Sequence, residues 1–83
     1  MVDSTQARRL RLAEAIRDYL ARHPDAADSA EGVAKWWLGP LGTEATTADT
    51  EQALLYLYGL GLIDRQTLPD GRALYRARRS SRG

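Results

Sequence analysis

The side chains that could do chemistry here are mostly of one kind. Arg65, Arg72, Arg76, Arg78, Arg79 and Arg82 crowd residues 65–83 beside a single acid, Asp70. A guanidinium presents a rigid fork of donors that matches phosphate or carboxylate oxygens two at a time. The same residues equally suit a solvated hairpin with a soluble end, and composition leaves both readings open. Nothing else assembles into a reaction centre. There are no cysteines, which excludes disulfides and thiolate metal sites. The single histidine, His23, precedes Pro24 and has no second histidine with which to share a metal. The hydroxyls, Thr46 and Thr47 among them, lack a base at a recognisable spacing, and no glycine-rich loop has the phosphate-cradling form. The expectation is a protein that binds and does not catalyse, without a cofactor or metal.

The 83 residues, 43% hydrophobic and 28% charged, predict one globular domain over 1–83, with an ordered part over about 5–78 and a basic tail at 79–83. The formal charge of +1 conceals a polarity along the chain. Residues 1–35 are neutral, residues 36–64 carry −4 with no lysine or arginine, and residues 65–83 carry +5. An anionic partner would meet the C-terminal end first. No run is long and apolar enough to cross a bilayer, and the first residues lack a secretory pattern, so a cytoplasmic protein with no membrane partner is expected.

Periodicity and punctuation predict the elements that must position these residues. Leu12, Ile16, Tyr19 and Leu20 recur at helical spacing, while Arg9, Arg11, Glu14, Arg17 and Asp18 take other faces. That predicts a helix over about 5–22, stopped at His23-Pro24. Asp28 with Glu31 three residues on has the form of a capping box. The helix it opens carries Ala30, Val33, Ala34 and Trp37 on one face and closes at Gly39-Pro40. Trp36 lies about 100° from Trp37, on the exposed flank. Residues 39–46 read as a loop. Thr46 or Thr47 caps a third helix, with Asp49 and Glu51 in its first turn and Thr50, Ala53, Leu54 and Leu57 facing inward. After Gly59 and Gly61, residues 62–67 and 72–77 read as two strands joined by the turn Pro69-Asp70-Gly71. Period two places Ala73, Tyr75 and Ala77 on one face and Arg72, Leu74, Arg76 and Arg78 on the other.

This order resembles the winged helix-turn-helix of bacterial regulators. The likeness rests on residues 29–34 at the start of the second helix, on residues 53–65 where the third helix runs into a strand, and on residues 70–76 at the hairpin tip. It implies an α+β winged-helix fold, three helices followed by a C-terminal two-stranded β-hairpin wing. It also implies a dimeric DNA-binding transcriptional regulator or accessory. Thr47 and Gln52 would then read bases, while Arg65, Arg72, Arg76, Arg78 and Arg79 would contact phosphates. Two features depart from the family: the segment before the third helix is longer than its tight turn, and the third helix has no lysine or arginine. The outward side of that helix offers Leu55 and Tyr56, with Trp36 on the preceding helix, as a protein-interaction surface. The alternative to DNA is thus a protein-interaction or assembly module.

Overall fold

The helix expected over about 5–22 forms over Ser4–Arg22 (α1) in a computed structural model that describes residues 4–42 and 45–78. Its apolar stripe, Leu12, Ala13, Ile16 and Leu20, is buried. Tyr19, at the edge of the stripe, stacks on Trp37 with ring centroids 4.5 Å apart. The chain then turns through Pro24 and Asp25 into a two-residue strand, β1 (Ala27–Asp28).

Next comes one α-helical turn, α2 (Ala30–Gly32), continued by a π-helical stretch over Val33–Leu38 and a 3-10 turn over Gly39–Leu41. The cap differs from the expected capping box by one residue. Ser29 is the N-cap, its hydroxyl accepting from the Gly32 N–H at 3.2 Å, while Asp28 accepts from the Ser29 N–H at 2.8 Å. The π winding has a packing consequence. Because its bonds run i to i+5, residues five apart come to one side. Val33 and Leu38 therefore both reach the core at 0% exposure, alongside Trp37, while Trp36 stays outside.

Thr46 caps α3 (Thr47–Gly59), accepting from the Asp49 N–H at 3.0 Å. The helix buries Thr50, Ala53, Leu54 and Leu57, the four inward positions its periodicity predicts. Its end is a Schellman motif. Leu62 N–H donates to the Leu57 carbonyl and Gly61 N–H to that of Tyr58, with Gly61 at φ 76°. That left-handed backbone favours glycine.

β2 (Ile63–Thr67) and β3 (Ala73–Ala77) pair antiparallel, with Arg65 opposite Tyr75 and Asp64 opposite Arg76. Gly71, at φ 90°, follows the turn residues Pro69 and Asp70 and donates to the Leu68 carbonyl at 2.9 Å. The sheet corrects the expected two-stranded hairpin. It has three antiparallel strands in the order β1-β3-β2, with Ala27 opposite Arg76 and Asp28 opposite Tyr75. Two residues are too few for an alternating pattern, so β1 left no periodic signal. The fold is α+β: three helices against a small antiparallel sheet, with Tyr75 and Ile63 closing the core from the sheet side. No helix among the described residues is long and apolar enough to cross a membrane.

Candidate interaction surface

The buried stripe of α3 leaves two flanks, and different elements border them. On the first, Arg8 of α1 donates to Asp49 at 3.1 Å, and Arg8, Arg9, Leu12, Asp49 and Gln52 enclose a shallow depression. Asp49, a helix-start anion stabilised by the dipole, is thus also set against a cation from another helix. The pair is largely exposed and its worth is small, about 0.5 kcal/mol. Tyr56, seven residues after Asp49, lies on the same flank, where it is half-buried against the core.

The second flank faces the hairpin. Glu51 closes one side of an open groove of about 300 Å³, whose other walls are Ser29 to Glu31, Arg65, Tyr75 and the tip residues Gly71 to Ala73. Arg65 stands on the inward face of β2, level with Tyr75. Its Nε–H donates to the Tyr75 hydroxyl at 3.2 Å, and its guanidinium carbon lies 5.9 Å from the ring centroid. The hydrogen bond to Tyr75 raises the pKa of Arg65 above its ordinary value, and the nearby Tyr58 and Glu51 add to the effect. Tyr75 is buried to 1% exposure, so its hydroxyl offers the groove a fixed acceptor. Along the same flank Thr47 is exposed, at the rim of a neighbouring hollow with Glu31, Ala34 and Lys35. Two glutamates, Glu31 and Glu51, therefore meet two arginines, Arg65 and Arg72, in one concavity.

The remaining arginines of the hairpin are dispersed. Arg72 pairs with Asp70 at 2.8 Å at the turn. Arg76 projects from the opposite sheet face, across from Asp64. Arg78 donates to the Gly61 carbonyl at 3.1 Å. The hydrogen bond from the Arg72 backbone N–H, then that from its side chain, holds the Asp70 carboxyl below its usual pKa. Arg65 thus stands on the face away from Arg76, and the structure does not bring the arginines into one row. Arg79 and Arg82 lie outside the described residues.

The apolar candidates separate similarly. Trp36 is 64% exposed, but it projects from the π-helical stretch. Leu55 is 38% exposed on α3. Its apolar neighbour on the open side is Tyr58, three residues on and 48% exposed, a position the sequence reading did not single out. Leu62, just past the helix end, is 40% exposed. Helical phase alone could not choose between Tyr56 and Tyr58, because each sits to one side of the outward direction. α1 borders the flank of Tyr56 and leaves that of Tyr58 open. Among the described residues no cluster of three or more histidines, cysteines or acids is placed to hold a metal. No protein-family model, curated protein or solved structure matches the chain.

Proposed function

We propose that this chain is a non-catalytic binding module of the winged-helix type that docks a protein through the hairpin-facing flank of α3. One observation carries the reading. Leu55 and Tyr58 stand exposed on that flank, and the groove that Glu51 of the same helix borders carries charges of both signs, Glu31 and Glu51 with Arg65 and Arg72. A protein interface tolerates such an arrangement: an apolar, aromatic-containing centre with a mixed polar rim. Duplex DNA asks for something else. It presents a negative charge every ~1.7 Å of axis, and a helix entering its major groove needs positive charge against phosphates and donors for base edges. α3 supplies no cation, and Glu51 would face the phosphates unshielded by an ion pair of its own among the described residues.

A second reading keeps DNA as the ligand, contacted by the hairpin and not by α3. What favours it is the exposure of Arg72, Arg76 and Arg78 in and beside β3. Thr47 and Gln52, both exposed on α3, would offer donors to base edges. Fluorescence anisotropy with a labelled mixed-sequence duplex separates the readings. The protein-docking reading expects binding no tighter than weak non-specific association, with a dissociation constant on the order of 100 µM at physiological salt. Sub-micromolar binding whose log–log salt slope shrinks in the Arg72→Ala/Arg76→Ala/Arg78→Ala variant would establish the second reading and remove the first.

A further inference from the structure

The groove between the hairpin tip and the starts of α2 and α3 holds charges of opposite sign that do not meet. Its lining carries Glu31, Glu51, Arg65 and Arg72, all exposed. The ion pairs among the described residues are Arg8–Asp49 and Arg72–Asp70, so Glu31, Glu51 and Arg65 have no salt-bridge partner there. Arg72 is answered by Asp70 at the turn, which leaves two carboxylates against one guanidinium in the concavity. Lys35 stands in the neighbouring hollow that Glu31 also borders, and does not line the groove. Arg65 is held in place, because its Nε–H donates to the hydroxyl of Tyr75, a residue fixed in the core. That bond occupies the inner donor of the guanidinium and leaves those of its two terminal nitrogens for a ligand.

An open groove with an excess of negative charge and a fixed donor on one wall selects a cation that carries acceptors beside it. A lysine or arginine within a peptide has that form, since its side chain is the cation and the flanking backbone carbonyls are the acceptors. We propose that the groove takes a basic segment of a partner protein, its lysine or arginine head between Glu31 and Glu51 and a neighbouring backbone carbonyl accepting from Arg65. This inference rests on the protein-docking reading and names the chemistry of what docks. An acidic segment would set its carboxylates against both glutamates, and a phosphate meets the same repulsion. The groove, about 300 Å³, lies at the lower end for ligand sites and has room for one side chain with the peptide groups beside it. The small side chains of Ala30 and Ala73 in its lining leave that space open.

Titration of the full, isotopically labelled chain with a capped alanine-lysine-alanine tripeptide tests this by amide and carboxyl chemical shifts. Shifts are expected at Glu31, Glu51 and Arg65, saturating with a dissociation constant on the order of 1 mM, because a flexible ligand loses ordering entropy against few contacts. The Glu31→Gln/Glu51→Gln variant changes only exposed positions, so it should stay folded by circular dichroism and bind about fivefold more weakly. n-Butylammonium, the same cation without peptide groups, should also bind about fivefold more weakly, since Arg65 then has no carbonyl to hold. The same tripeptide with glutamate in place of lysine should give no saturable shifts. A lysine peptide that fails to saturate by about 20 mM would overturn the proposal. So would an equal response to the glutamate peptide, undiminished affinity in the double variant, or butylammonium binding as tightly as the peptide. The same wild-type sample, titrated with duplex DNA, separates this failure from that of the broader reading. A chain that ignores both peptide and DNA removes only the basic segment as occupant, whereas one that binds DNA tightly removes the docking reading as well.

Discussion

Replacing Gly32 with alanine should destabilise the protein, although the backbone there suits alanine. Gly32 sits at φ −64° and ψ −40°, ordinary helical angles, where alanine normally gains about 0.8–1 kcal/mol over glycine. A Cβ at this position would instead run into the Asp28 carboxylate. That carboxylate accepts from the Ser29 N–H at 2.8 Å and so holds the entry into α2. To make room it must swing away, and losing a hydrogen bond to a charged acceptor costs about 1.5–3 kcal/mol. The difference leaves Gly32→Ala destabilising by about 1 kcal/mol, a fall in Tm of about 4–8 °C. In an Asp28→Ala background the obstruction is gone and the sign should reverse, with Gly32→Ala then stabilising by up to ~1 kcal/mol. Urea and thermal unfolding of the four proteins in this double-mutant cycle measure the coupling. Equal effects of Gly32→Ala in both backgrounds would refute the reasoning. The site also bears on the groove, because Asp28 pairs in β1 with Tyr75, whose hydroxyl holds Arg65.

Three further outcomes follow from local chemistry. The Thr50 hydroxyl is buried without a partner among the described residues, so Thr50→Val should raise stability by about 1 kcal/mol in urea unfolding, and a loss would show that the hydroxyl is satisfied. With Trp36 at 64% exposure and Trp37 at 3%, acrylamide should quench the single-tryptophan protein that keeps Trp36 much more than the one that keeps Trp37, and equal quenching would contradict this placement of the two rings. The Asp70 carboxyl, held low chiefly by the Arg72 backbone N–H, contributes stability above the ordinary carboxylate pKa and loses it as pH falls through its own. Carbon-detected NMR titration of Arg72→Ala should therefore show only a partial upward return of that pKa, since the backbone donor remains; a complete return would assign the effect to the guanidinium.

Much of the frame was readable from residue pattern because local signals agreed with one another. The threonine cap, the inward positions Thr50, Ala53, Leu54 and Leu57, the glycine-bearing helix end and the turn at Pro69-Asp70-Gly71 all stand where periodicity and turn chemistry place them. What escaped depended on tertiary contact. β1 exists because Ala27 and Asp28 lie beside β3, a contact between residues nearly 50 positions apart that no local pattern announces. Leu38 reaches the core only because the backbone widens to π winding, whereas a period of 3.6 turns it about 100° away from Trp37. The surface was less legible still. A helical wheel finds the outward direction of α3 but not which neighbour borders each flank, and that neighbour decides between Tyr56 and Tyr58. The arginines likewise looked like one cationic arm in sequence. Antiparallel pairing puts Arg65 and Arg76 on opposite sheet faces, and Arg72 and Arg78 each find a partner nearby.

The central claim is that the hairpin-side flank of α3 meets protein and not nucleic acid. Amide chemical-shift mapping of the uniformly labelled chain tests it most directly, in a titration with duplex DNA at physiological salt. The predicted result is that DNA leaves α3 unmoved from Thr47 to Tyr58. Saturable DNA-induced shifts along Thr47, Gln52 and Leu55 would contradict it.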